Sequence, residues 1–370
     1  YNQDGQLVYY HIGVPNDLSA VVRGCFGEGP DPTYVSSDYS ADGAVHTLLT
    51  ASEGAGIDVI LMGDCFSDRL ISDGTYAAAM ERACDALFVE EPFKSFHNCF
   101  NVSYVDVVSR NEVYTGSTTL NTWYGEDTEV GGNDQKVFEY ADKVLKPAGK
   151  SADDALIIVL MNRDYHAGTC YMYSLPSGDY GRGASIAYVP TDSADENFGK
   201  VLRHEAGGHG FAKLADEYGY IERGTIPADV VKGYKQAEQY GWWKNIDFTS
   251  DLESIKWSAF LDDIQYSVYQ QLAAYEGGAT YWTGVWRPTP DSIMNTGNDG
   301  FNAPSRYAIW YRIGKLAYGE GWNGSLEDFL SYDAINITIP EWAQAPKRNI
   351  TVKSAKPIST TPPVVIGNWK

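Results

Sequence analysis

Two stretches of the chain, IDVILMG at 57–63 and ALIIVLM at 155–161, are almost wholly apolar. A strand that is apolar on both faces must be covered on both, and such strands belong to parallel sheets sheathed by helices. Neither run is long enough to cross a bilayer, and no other run in the chain is. Helical spacing recurs in SDGTYAAAMERACDALF (72–88), with Ser72 or Asp73 as N-cap, and in DQKVFEYADKVL (134–145). FNVSYVDVVS (100–109) alternates and reads as another strand. Shorter strands are expected near CYMYSL (170–175) and ASIAYV (184–189). The order is β-α-β-α-β-β-β-helix, an α/β fold around a mixed sheet.

The helix that follows has a marked start. Ser193 and Glu196 stand at capping-box spacing, and Phe198, Val201 and Leu202 form its apolar face. It runs into RHEAGGHGFAKLADEY (203–218). Beyond it, residues 219–280 are expected to be mostly helical, and helical patterns return after Ser305. At the ends, QLVYYHIGV (6–14) alternates weakly, INITI and NITVKS read as strands, and KPISTTPPVV reads as an extended tail. Three regions result: a β-rich segment 1–56, a catalytic domain 57–330 and a β-rich tail 331–370. The tail is expected to form a small appendage against the N-terminal strands.

Acidic residues number 49 against 28 Lys and Arg, for a net charge of −21. Such a chain lacks the basic clusters that phosphate backbones and anionic membranes require, so no nucleic-acid partner and no membrane-spanning segment are expected. Cys25, Cys65, Cys84, Cys99 and Cys170 form no C-x-x-C pair, which argues against a thiolate zinc site. The opening YNQDG, without Met, fits a processed N-terminus and leaves export open. A monomer is expected.

The segment 203–218 carries the chemistry. Zinc hydrolases hold their ion with imidazoles and a carboxylate and leave one position for water. Histidines at i and i+4 lie about 40° apart around a helix and reach one ion, as in H-E-x-x-H. Here His204 and His209 are five apart, and at that spacing an ideal helix would splay them by about 140°. A π-bulge absorbs one residue and restores the common face. Gly207 and Gly208 suit such a distortion, since each costs about 1 kcal/mol inside a regular helix. Glu205 follows the first histidine and is placed to move a proton. Asp216 is the first choice for a third ligand, Glu217 the second and Glu222 a distant third. A cation would offset the cost of acids near a helix C-terminus. The acid left over could orient a histidine.

HEAGGHGFAKLADEY resembles the zinc motif of the IgA-peptidase family of metallopeptidases, which belongs among the metzincins. The family pattern is H-E-x-G-H followed by a run ending in L-x-D-E-Y, so this chain departs by one residue between the histidines. WRPTPDSIMNTG (286–297) resembles the family's Met-turn segment, with Met294 as an apolar floor beneath the metal. VILMGDCF and DALFVEEPFKSFHNCFNV resemble its early strand and helix regions. The resemblance spans roughly 57–318. It implies a metzincin-like mixed β-sheet with helices, a mostly helical C-terminal subdomain and small β-rich terminal additions.

It also implies a zinc-dependent endopeptidase of exported bacterial proteins, secreted, periplasmic or at the cell surface. Its partner would be a protein or peptide, with immunoglobulin-like or glycoprotein substrates among those in view. Zn2+ would be held by His204, His209 and Asp216, with Glu205 as catalytic base. Tyr218, Tyr307 and Arg306 are oxyanion donors by residue type only. Two rivals stand beside this reading. Abundant Tyr and Trp, with the acid pair Asp262 and Asp263, would suit a glycan-binding or glycan-hydrolysing protein. A catalytically silent metal-binding module would keep the fold, although it has no use for Glu205.

Overall fold

The computed structural model describes residues 30–114, 118–336 and 361–367. Among the described residues its centre is a seven-stranded sheet in the spatial order β1 (Val45–Leu49), β3 (Phe100–Val105), β2 (Ile57–Asp64), β6 (Leu156–Met161), β8 (Ser185–Pro190), β7 (Thr169–Tyr173) and β12 (Val364–Ile366), with β4 (Trp123–Tyr124) and β5 (Val130–Gly131) forming a separate pair. The two apolar runs form β2 (Ile57–Asp64) and β6 (Leu156–Met161), parallel neighbours in the middle of the sheet. β3 (Phe100–Val105) lies beside β2 and β8 (Ser185–Pro190) beside β6, both parallel. β1 (Val45–Leu49) closes one edge antiparallel to β3. On the other side β7 (Thr169–Tyr173) runs antiparallel to β8, and β12 (Val364–Ile366) pairs with it in parallel.

Each face of the sheet is buried, as strands apolar on both sides require. One face packs against α2 (Thr75–Leu87), α4 (Asp195–Leu202) and the helix that continues from α4. The other packs against α3 (Asp134–Leu145), where Val137, Ala141 and Leu145 meet Ile60, Ile157 and Val159. α3 begins where its pattern does: the Asn133 side chain accepts the Lys136 N–H. A third cluster gathers Trp257, Phe260 and Tyr266 around α6 (Ala303–Tyr318) and α7 (Leu326–Asn336). The fold is thus mixed α/β, with helices at its C-terminal side.

Several local expectations are corrected. α2 starts at Thr75 with Gly74 as N-cap, because Ser72 ends a separate short helix, α1 (Asp68–Ser72). α4 starts at Asp195 with Ala194 as N-cap, and no capping box forms on Ser193. The Ser193 hydroxyl donates to Asp164 instead, across a loop. Residues 219–280 are not mostly helical. They hold one α-helix, α5 (Ala228–Glu238), and most of a three-stranded sheet in the order β10-β11-β9 (Tyr275–Gly278, Thr280–Arg287, Gly219–Thr225). Gly219 shows why: a Cβ there would strike the Tyr281 carbonyl, so only glycine lets the two strands approach. PPVV contributes β12 to the main sheet rather than to an appendage on N-terminal strands. In INITI, Ile335 and Asn336 belong to α7. The rest of INITI, with QLVYYHIGV and NITVKS, lies outside the described residues.

Candidate metal centre

α4 passes without a break into a π-helical stretch, Arg203–Phe211. Its wide turn is explicit in the hydrogen bond from Ala212 N–H to Gly207 O, five residues back, at 3.1 Å. In such a turn residues five apart share a face. The His204 and His209 rings accordingly meet edge to face, with centroids 4.6 Å apart and Nε2 atoms 3.0 Å apart. Asp216 Oδ1 lies 3.2 Å from each Nε2. Three ligand-type atoms therefore mark a triangle in the protein interior, where all three side chains are buried.

Backbone carbonyls fix which atoms point inward. His204 Nδ1 is 2.8 Å from Ile293 O, and His209 Nδ1 is 2.7 Å from Leu214 O. A carbonyl only accepts, so each Nδ1 carries a proton and Nε2 is the ring atom turned toward the cluster. Two Nε2 atoms and a carboxylate oxygen converging on one point are the donor types that a divalent cation takes up. A tetrahedral ion with bonds of about 2.0–2.1 Å sets its ligand atoms about 3.3–3.4 Å apart, close to the sides of this triangle. The donor set and its spacing fit a zinc-like divalent ion.

Glu205 belongs to the same cluster. His204, Glu205 and His209 each offer a ligand-type atom within 4.8 Å of the others. Its side chain is fully buried, and its carboxyl oxygens have no close hydrogen-bond partner among the described residues, the Cys170 N–H being the backbone donor that bears on them. Burial pushes this carboxyl up to about 8, against the pull of His204 and with the push of Asp216. A buried polar group without a partner costs about 1–3 kcal/mol. The missing partner is explained if water and a cation complete the cavity. Gly168 makes the room, since a Cβ there would press on Glu205 Cγ and Val201 Cγ1.

The glycine pair serves more than the wide turn. The Met294 sulfur and methyl lie directly against Gly208, and Gly207 faces Phe93 and Phe301. Met294 is fully buried, so the 286–297 segment does bring it under the histidine helix. A family model described as IgA Peptidase M64 matches residues 46–267, more than half of the chain. The chain belongs to this family. An M64 peptidase is a metalloendopeptidase, and its partner is a protein substrate. The M64 match ends before Met294, so the place of that residue rests on the structure alone. No curated protein matches the chain.

The remaining sequence-named residues of this M64 member separate cleanly. Glu217 turns away from the imidazoles. Its carboxylate accepts from Asn245, Ser292 and Asn302 at 2.7–2.9 Å and ties the histidine segment to the Met294 loop. Glu222 is exposed. Tyr218 stacks near His204 with centroids 6.5 Å apart. Arg306 and Tyr307 do not share that position. Arg306 forms a buried two-pronged pair with Asp333, and Tyr307 packs between Phe260 and Phe329. Asp262 and Asp263 are both exposed, and Asp263 accepts the Gln265 N–H. Sequence reasoning missed the Ile293 and Leu214 carbonyls, because backbone acceptors leave no residue-type signal. It also missed Asn245 and Asn302, which are far from the motif along the chain. No helix among the described residues is long and apolar enough to cross a membrane.

Proposed function

We propose that this M64 member is a zinc-dependent endopeptidase of exported or cell-surface proteins. In this reading His204, His209 and Asp216 hold the ion and Glu205 carries the proton. The observation that carries it is the triangle of Nε2, Nε2 and Oδ1 with both Nδ1 atoms committed to carbonyls. Bound there, zinc supplies Lewis acidity toward the scissile carbonyl and an attacking water. The uncommitted Glu205 oxygens accept the proton of that water and return it to the leaving amine nitrogen. A cation nearby favours the ionised carboxylate, opposing the rise that burial causes. Ile293 O and Leu214 O keep the two imidazoles in the required tautomer throughout.

The family description supports an immunoglobulin-like or other secreted glycoprotein substrate. The strong negative charge supports an extended, soluble working environment rather than a membrane surface. The test is metal analysis of the purified protein combined with a peptide-library digest. One zinc per chain and cleavage abolished by a chelator are expected. Cleavage indifferent to chelation, or sugar release without metal, would reject the reading.

A further inference from the structure

Residues 361–367 lie along the outer edge of β7, beside the metal centre. Thr361 N–H donates to Gly168 O at 3.1 Å, and Ser174 N–H donates to Ile366 O at 3.0 Å. Between them Val364, Val365 and Ile366 pair with Tyr171, Met172 and Tyr173. Gly168 is the residue that packs against Glu205. The segment therefore starts next to the carboxylate and runs away from it along the sheet edge. Val365 packs on the same core as the histidine helix. Pro362, Pro363 and Val365 wall a cavity of about 390 Å³ whose other walls include Asp216, Tyr234 and Tyr281.

An extended peptide binds a sheet edge through main-chain hydrogen bonds, and pockets for alternate side chains select among sequences. The chain's own segment is in that position here. Its composition suits a peptide that is held rather than cut. Pro362 and Pro363 directly follow Thr361, the residue bonded to Gly168, and neither has an N–H to donate to the edge. Their fixed φ also keeps this stretch extended at little entropic cost. Among the described residues of this segment three pair with β7, so their release is a local opening rather than global unfolding.

We propose that 361–367 occupies the edge on which a peptide substrate docks, and that the protein is self-blocked until this strand is displaced. The inference rests on the peptidase reading for its consequence, but the docking can be read without catalysis. The test uses the full zinc-loaded chain carrying Val365→Asp, which sets a second carboxylate in the cavity that Asp216 walls. Val365→Asp with Ile366→Pro serves as a stronger variant if the first leaves the strand in place. Hydrogen exchange at Ser174 N–H reports release and is expected to rise about tenfold or more. A fluorescein-labelled TTPPVVIG peptide is then expected to bind the variant and not the parent chain. Cleavage of a mixed peptide library is expected to rise severalfold and to fall again when unlabelled TTPPVVIG is added. A released strand whose bared edge takes no peptide would overturn the inference, as would cleavage that added peptide leaves unchanged. A bared edge that binds the peptide in a protein that cleaves nothing would support the docking edge and count against the peptidase reading.

Discussion

The sulfur of Met294 sits where a side chain on Gly208 would have to go. The loop carrying the methionine and the helix carrying the histidines are thereby held at one separation. Gly208→Ala should force them apart, at a cost of about 1–3 kcal/mol as for other overpacked cores. A lowered melting temperature and a reduced zinc content are expected. Gly208→Ala with Met294→Ala should lose less than the sum of the two single changes, because both act on one contact. Additive losses in thermal melts would show that the contact is not the cause.

Glu205→Gln should separate binding from chemistry. The amide keeps the shape of the side chain and an oxygen to face the Cys170 N–H, and it adds no charge to the buried site. Zinc content and melting temperature should not fall, while cleavage should drop about 10²–10⁴-fold. Metal analysis and initial rates on one peptide check both halves.

Glu217 gives a pH signature. Burial pushes its carboxyl up to about 7, against the hydrogen bonds from Asn245, Ser292 and Asn302. An unfolded glutamate titrates near pH 4.3. Between the two values the native state holds a proton that the unfolded chain has lost. The resulting stability is complete below the unfolded pKa and is lost as pH rises through about 7. Glu217→Gln cannot lose that proton, yet it forgoes hydrogen bonds. It should be less stable than the parent chain at pH 5, with the gap narrowing toward pH 8. Melting curves at the two pH values, with zinc present, decide it.

Arg306 separates architecture from chemistry. Its Nε and Nη2 each reach Asp333 at 2.7 Å, in a site where both residues are buried. Arg306→Ala leaves the buried Asp333 carboxylate without its cation, with the Tyr266 hydroxyl as its remaining donor, and should cost about 3–5 kcal/mol. Arg306→Lys should recover part of this, since a lysine cannot make the two-pronged contact. In the folded fraction, zinc content and KM should match the parent chain. A change in kcat without a change in stability would return Arg306 to the reaction.

Much of the central layer was legible because its signals are local. The apolar runs at 57–63 and 155–161 could only be strands covered on both faces, and they are β2 and β6. The surplus residue between His204 and His209, with two glycines beside it, pointed to a widened turn, and Arg203–Phe211 is π-helical. What failed to show depends on long-range contact. Glu217 and Asp216 are adjacent acids with the same credentials, and Asn245, Ser292 and Asn302 send one of them elsewhere. Residues 219–280 looked helical because their strands carry glycines and aromatics that make sense only against one another, as Gly219 does against Tyr281. The pairing of Val364–Ile366 with β7 joins residues nearly 200 positions apart, as the separation of 192 between Ser174 and Ile366 illustrates.

The wide turn at Arg203–Phe211 also bears on how such proteins are found. A helix that can swallow one residue lets two metal-binding side chains keep their meeting point while their separation along the chain changes. Search templates that insist on a four-residue interval between the histidines would therefore pass over this chain, although its two Nε2 atoms lie 3.0 Å apart.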